Sequence, residues 1–328
     1  MSTNQELLRK ADMAIADLAS NGGMLLPEQG QTFIRKLIKE PTIIRQARVV
    51  EMTAPTRKIN KIGFGQRILR AATSGVALTQ AQRAKPTTEQ IELNTKEVIA
   101  EVRLPYDVLE DNIERATAAS NDPANTAGRG GLQDTLLALI AERTATDLEE
   151  LALLSDTAYT SGDADDQAYM RLFNGYLKTA ATGASAHIYD HGQGAVSKDM
   201  FRRIKMELPT PYLRNLPLMR YFSSVNVETM WRDSVANRGT ALGDASLTGS
   251  NPIPAYGIPV DAVHMMPDNR VLLTNPLNLI FGIQRQISME FDKDISARVY
   301  IMVVTARVAV QIEEMDATAL GTNVNING

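Results

Sequence analysis

Two histidines four positions apart are the first candidates for chemistry in this sequence, because that spacing can place two imidazoles on one metal ion when the segment is a helix. The segment reads His187-Ile-Tyr-Asp-His191. A zinc peptidase of this pattern needs a glutamate directly after the first histidine, where this chain has Ile188. Glycines on both sides of the pair favour a loop. We therefore predict no metal site here, and a structural role in a strand for the third histidine, His264.

An acidic segment and a glycine-rich segment also fall short of known binding motifs. The segment Asp163-Ala-Asp165-Asp166 resembles the start of a calcium loop, but an EF-hand needs glycine and glutamate where this chain has Ala168 and Asn174. Gly128-Arg-Gly-Gly131 precedes a predicted helix, as a phosphate-binding loop does. It lacks both the preceding strand and the Gly-Lys-Ser/Thr ending. We predict that neither segment binds a ligand.

Carboxylate pairs and serines offer no catalytic arrangement either. Glu149-Glu150 and Glu313-Glu314 are adjacent in the sequence, and we expect both pairs to lie on solvated faces. No Gly-x-Ser-x-Gly nucleophile turn is present. The sequence therefore predicts a protein without catalytic residues, cofactor or metal.

Composition narrows the class of protein further. The 328 residues are 44% hydrophobic and 22% charged, as in ordinary globular chains, and include no cysteine. The net charge of −4 argues against nucleic-acid binding as the main task, which usually requires a basic protein. The apolar run Val299–Val304 is too short to span a bilayer. The start of the sequence shows no secretion signal pattern, so we expect a soluble protein without membrane contact.

The elements follow one another in an α+β order. Residues 1–50 carry short helical patterns that form an N-terminal arm, and the amphipathic stretch Leu132–Ser155 predicts a long helix. Residues 156–284 alternate loops, strands and short helices, including a helix over Ser197–Leu208 that is expected to begin with a capping box. Two strands, Ile287–Phe291 and Ala297–Ile312, close the fold.

Between the arm and the long helix, residues 51–103 predict an extended β-hairpin with an elaborated tip. Its clearest strand covers residues 90–104. An arm of about 20 residues would reach roughly 65 Å, whereas a compact chain of this length has a radius of gyration of about 20 Å. The hairpin should therefore lie on another molecule. Residues 54–85 contain no acidic residue, and the basic residues predicted to contact an acidic neighbouring subunit are Arg57, Lys58, Lys61, Arg67, Arg70, Arg83 and Lys85.

This order of elements, with several local motifs, resembles the major capsid proteins of tailed bacteriophages, the Hong Kong 97-like fold. Gly22-Gly-Met-Leu-Leu-Pro27 is similar to the family's start of the arm, and Arg220–Trp231 to its strand-turn-helix. Tyr256–Val260, Met266-Pro267 and Arg270–Ile283 resemble its most recognisable stretch, although Asn275-Pro276 stands where the family often has Gly-Asp. Arg285–Glu290 and Arg307–Ile312 are similar to its closing strands.

The resemblance implies a virion protein that is assembled in the host cytoplasm. Copies would form pentamers and hexamers that close into an icosahedral shell around double-stranded DNA, with weak, non-specific DNA contact. The implied division is an arm (1–50), the hairpin or E-loop (51–103), a first peripheral part with the spine helix (104–155), an axial domain (156–284) and closing peripheral strands (285–328). Because the fold begins close to Met1, we expect a separate scaffolding protein, or none, and a portal at one vertex. We predict no covalent cross-link.

Two other functions stay open at this point. An encapsulin, a bacterial compartment of the same fold, would hold an enzyme cargo instead of DNA. An enzyme or a small-molecule binding module without a recognisable motif would stay monomeric at high concentration. The long arm favours the phage protein over the encapsulin.

Overall fold

The computed structural model describes residues 43–63, 67–69, 71, 77, 79–105, 132–237, 249 and 252–326. The strands are β1 Arg48–Glu51, β2 Thr56–Gly63, β3 Thr87–Asn94, β4 Lys96–Pro105, β5 His187–Ala195, β6 Arg220–Ser223, β7 Pro254–Ala255, β8 Ile258–Ala262, β9 Val271–Thr274, β10 Leu279–Asp294, β11 Val299–Ile312 and β12 Ala319–Asn325. The helices are α1 Leu132–Leu154, α2 Ala164–Met170, α3 Tyr176–Thr182, α4 Lys198–Glu207 and α5 Val225–Ala236. Short 3-10 turns cover Gln80–Gln82, Thr210–Leu218, Pro276–Asn278 and Met315–Ala317.

A four-stranded sheet in the order β1-β10-β11-β4 carries the long helix α1. Strand β11 buries every second residue from Met302 to Val308, so its apolar alternation gives the sheet one face for the core. Leu148 and Leu151 of α1 belong to the same buried cluster as Phe281 and Val308 of the sheet. The helix begins and ends within one residue of the sequence prediction, which is confirmed.

A second sheet of six strands, in the order β5-β12-β9-β6-β8-β7, holds the second large core. Helices α4 and α5 contribute Phe201 and Trp231, whose rings lie 4.9 Å apart between centroids. Each helix begins at a serine whose side chain accepts a backbone hydrogen bond, Ser197 from Met200 and Ser224 from Val227. Only this half of the capping box expected at Ser197 forms, because residue 200 is a methionine without a side-chain acceptor.

The sequence analysis placed a single domain boundary in this region, but the chain passes from one sheet to the other at two places. The expected boundary at 284/285 falls inside β10, which begins at Leu279 because Leu279–Phe281 are buried and pair with Ile312–Val310 of β11. The closing segment 285–328 is divided as well. Strand β12 lies between β5 and β9 in the six-stranded sheet, since Ala319 and Leu320 are buried in its core.

The hairpin is present, and its described paired part is shorter than the expected arm. Strands β2 and β3 pair antiparallel from Thr56 opposite Asn94 to Gly63 opposite Thr87, so the ribbon is eight residues long, or about 27 Å. The single strand expected over residues 90–104 is interrupted at Thr95, whose backbone N–H bonds to the Pro55 carbonyl at 2.9 Å. Beyond that point β4 joins β11 in the four-stranded sheet. The expected reach of roughly 65 Å therefore included residues of β4, which belong to the four-stranded sheet and not to the hairpin.

Two histidine expectations were wrong. His187 and His191 lie in strand β5 and not in a loop, because the strand pairs with β12 over most of its length. His264 lies in an exposed turn after β8 and not in a strand. The expected start of the arm at residues 22–27 and the glycine-rich segment 128–131 lie outside the described residues.

Candidate functional site

The root of the hairpin is fixed to the four-stranded sheet by a small apolar cluster. Leu93 of β3 is 1% exposed and packs with Val50, Met52, Ile280 and Ala309. The hydroxyl of Thr95, at the end of the hairpin, donates a hydrogen bond to Gln284 Oε1 at 2.8 Å. The ribbon therefore leaves the body from a buried base, which limits the directions in which its tip can point.

Lys61, near the far end of β2, contacts the body of its own chain. Its ammonium group forms an ion pair with Glu314, which follows β11, and lies 3.5 Å from Glu89 on the paired strand. Burial on its own would lower the pKa of Lys61, but the hydrogen bond and charge of Glu314, with Glu89 and Tyr212, raise it above the ordinary value. The contact bridges a cleft of about 670 Å³ between hairpin and body. Lys61 therefore has partners within its chain, although the sequence analysis gave it to a neighbouring subunit.

The other predicted contact residues lie at the root and near the tip of the hairpin. Arg57 donates to the Glu51 carbonyl at 2.5 Å, while the side chain of Lys58 is exposed. Arg67, Arg83 and Lys85 are exposed near the tip and form no ion pair with another described residue. Arg70 lies outside the described residues.

Apolar side chains accompany these charges. Ile62, Ile68 and Leu69 are 69%, 54% and 83% exposed. The outer hairpin thus presents a mixed basic and apolar surface, which is the composition of a protein contact more than of a purely solvated loop.

An acidic groove of about 350 Å³ runs between α1 and strand β4. Its floor is apolar, from Val98, Ala100, Val304 and Ala306, and the acidic residues along its walls are Asp147, Glu150, Asp165 and Asp166. One basic side chain, Arg143, lines the groove among the described residues and pairs with Asp147 at 2.9 Å. The groove is therefore an acidic and apolar counterpart to the outer hairpin.

The negative charge of the groove carboxylates is only partly neutralised by the basic side chain that lines the groove. Burial raises the pKa of Asp147 despite its ion pair with Arg143. Burial also raises the pKa of Glu150, and the charges of Asp147 and Asp166 raise it further against the effect of Arg143. A cationic partner would relieve this repulsion.

Glu149 has a structural role that the sequence analysis missed. It is 2% exposed, and its carboxylate accepts the backbone N–H of Ile43 at 2.5 Å. Its expected place on a solvated face was therefore wrong, and the helix uses it to hold the chain just before β1. The available signal was its position between Thr146 and Ala152, which lie three residues to either side on the same buried face.

The second carboxylate pair, Glu313-Glu314, is also bound and not merely solvated. Glu313 accepts from Arg48 of β1 at 2.7 Å, and Glu314 pairs with Lys61 of the hairpin. Two neighbouring residues thus connect the end of β11 to both the first strand and the hairpin. Sequence periodicity could not reveal this, because the partners lie more than 200 residues away.

The sequence comparison decides the family. No family model matches the sequence. The prophage capsid protein YqbE of Bacillus subtilis (strain 168) is 40% identical over 328 aligned residues, which cover 96% of this chain and 97% of the relative. The chain belongs to the family of bacteriophage capsid proteins. The family indicates a structural protein and a virion component.

Comparison with solved structures identifies the fold of the capsid protein. The procapsid of satellite phage P4, whose structure includes the size determination protein Sid, matches with a TM-score of 0.62 at 12% identity, covering 99% of this chain and 98% of that one. The SrpI encapsulin of Synechococcus elongatus PCC 7942 matches with a TM-score of 0.58 at 13% identity, covering 96% and 98%. The fold is the Hong Kong 97-like fold, and the fold-class prediction is confirmed.

Two of the side chains that suggested chemistry, His191 and Asp163, are hydrogen-bonded within the capsid protein. His191 is within 2.9 Å of the Ala195 carbonyl, whereas the buried Nε2 of His187 has no hydrogen-bond partner among the described residues and lies 3.8 Å from Asp316. Asp163 caps helix α2 by accepting the N–H groups of Asp165 and Asp166. In the described part of the chain, no helix combines the length and apolar character needed to cross a membrane.

Proposed function

We propose that this major capsid protein assembles as pentamers and hexamers into an icosahedral shell that encloses the double-stranded DNA of a tailed phage. The observation that carries the proposal is the full-length relationship to a prophage capsid protein, with 40% identity. The Hong Kong 97-like fold agrees with it, since the fold presents a projecting hairpin beside two compact sheets.

The hairpin is proposed as the contact between neighbouring subunits. Arg57, Lys58, Arg67, Arg70, Arg83 and Lys85 supply its basic surface, whereas Lys61 contacts its own chain. The acidic groove beside α1 is the complementary surface on the neighbour. A subunit does not reach its own groove easily, because β3 runs from the tip to a buried base and the groove begins only beyond it, at Val98.

Charge reversal tests this contact. We expect a variant with Arg67, Arg83 and Lys85 all changed to glutamate to fold normally but to form no shells, since the three side chains are exposed. Asp165→Lys with Asp166→Lys should have the same effect from the groove side. Combining all five changes in one chain should restore shells, as seen by negative-stain electron microscopy and sedimentation. Normal shells from the hairpin variant would contradict the proposal.

Contact with packaged DNA is proposed to be weak and independent of sequence. A net charge of −4 leaves little attraction for phosphates, and a wall that held DNA tightly would hinder packaging and release. Titration of the purified protein with duplex DNA at physiological salt should show no submicromolar binding. Sequence-dependent submicromolar binding would indicate a DNA-binding protein instead.

A portal at one vertex and a separate scaffolding protein, or none, complete the proposed assembly in the host cytoplasm. Co-purification of immature shells tests both, because a scaffold would leave with maturation and a portal would stay.

An encapsulin-type compartment is the second candidate, favoured by the similarity in fold to the SrpI encapsulin. The content of purified shells separates the two functions. Nuclease-protected DNA supports the phage shell, and a co-purifying enzyme cargo without DNA supports the compartment.

A further inference from the structure

The chain crosses between the two sheets twice at one place. It leaves β9 through Asn275–Asn278 to begin β10, and it leaves β11 through a short connector, Glu313–Thr318, to begin β12. These two segments lie side by side, so a change in the relative position of the sheets at this place acts on both of them.

Asn278 binds the two crossings to each other. Its amide nitrogen donates to the Glu314 carbonyl at 2.8 Å and to the Thr318 hydroxyl at 3.0 Å, and its side-chain oxygen accepts the Glu314 N–H at 2.7 Å. The backbone N–H of Glu313 bonds to the Asn278 carbonyl at 2.9 Å. Asn278 is 8% exposed, so these bonds are largely shielded from water.

Glu314 has a second attachment, to the hairpin. Both of its backbone polar groups bind Asn278, while its carboxylate binds Lys61 of β2. The side chains of Lys61 and Glu314 are 28% and 22% exposed. Glu313 beside it binds Arg48 of β1 at 2.7 Å. One residue thus touches both the junction of the sheets and a point far out on the hairpin.

We propose that Glu314 couples the position of the hairpin to the geometry of the junction between the two sheets. A hairpin that swings away from the body must break the Lys61 contact or displace the Glu314 backbone, which would strain the Asn278 hydrogen bonds. Conversely, a change at the junction displaces Glu314 and thereby affects its contact with Lys61, because energetic coupling is reciprocal. This inference concerns the subunit itself and holds whatever the shell encloses.

Hydrogen exchange of the full-length protein tests whether a change in the hairpin reaches the junction. All variants are compared in the same assembly state. Lys61→Met removes the charged contact and keeps the aliphatic length. We expect exchange to rise by roughly fivefold in β2 and β3, and also at the backbone amides of Asn278, Glu313 and Glu314. Lys96→Met is the matched control, since it makes the same chemical change at an exposed side chain of β4 that belongs to no proposed contact. It should leave the junction amides unchanged.

Thr318→Val tests whether a change at the junction reaches the hairpin. It removes one acceptor of Asn278 without changing the shape of the side chain greatly. Exchange should rise in the hairpin as well as at the junction, while α4 stays protected. A rise confined to the mutated side in either variant, or an equal rise throughout the chain, would overturn the coupling.

Discussion

Leu151 provides the sharpest test of how the peripheral core is built. The side chain is 0% exposed on α1 and belongs to the cluster that joins this helix to the four-stranded sheet. Leu151→Ala removes three buried carbon groups at about 0.8 kcal/mol each, and the remaining cavity adds to this. We expect a loss of about 3–4 kcal/mol in the free energy of unfolding, within the usual range for buried leucines.

Urea denaturation of the dissociated subunit, followed by circular dichroism, measures this loss. The midpoint should fall while the slope stays unchanged, as expected for a loss of stability without a change in the unfolding reaction. Leu218→Ala is the matched control, since Leu218 is 56% exposed and undergoes the same chemical change. The control should shift stability by less than about 0.5 kcal/mol. Equal shifts in the two variants would refute the assignment of Leu151 to the buried face of α1.

Two further predictions concern carboxylates of α1. Glu149→Ala should cost about 1–3 kcal/mol in urea denaturation, because it leaves the buried Ile43 N–H without its acceptor, and an equally stable variant would contradict this role. Glu150→Gln should raise the melting temperature at pH 7. Because the folded-state pKa of Glu150 is raised, its protonated form stabilises the fold at low pH, and this stabilisation is lost as pH rises through the folded-state pKa. The advantage of glutamine should therefore vanish at about pH 4. An advantage independent of pH would show that charge repulsion is not its cause.

The elements that periodicity specifies could be predicted, and those that depend on pairing between distant segments could not. The apolar stripe of α1 and the alternation of β11 gave both elements from local sequence. The hairpin could be recognised from the sequence, but its length could not be predicted. Nothing in residues 90–104 indicates that the run pairs with β2 before Thr95 and with β11 after it. Partner choice of that kind depends on the whole sheet.

The carboxylates illustrate the same limit at the level of single residues. Glu149 and Glu150 are neighbours of identical type, yet one is buried against a backbone amide and the other lines a groove. Their difference comes from the faces of one helix and from Ile43, which lies 106 residues away. The contact of the seven basic hairpin residues with a neighbouring subunit stays a prediction. Only the structure separates Lys61, held by its own chain, from the exposed residues of the tip.

The proposed contact joins two different surfaces, the hairpin of one subunit and the groove of the next, and this has a consequence for assembly. A contact between unlike surfaces repeats in one rotational direction and closes into a ring when its rotation divides a full turn, whereas a contact of one surface with itself stops at a dimer. Rings of five and of six copies require different angles between neighbours. A ribbon about 27 Å long with flexible charged side chains tolerates such a difference more readily than a tightly packed core would. The Glu314 connection would then transmit the chosen hairpin position to the junction of the sheets, so that both parts of the subunit adapt together to either ring.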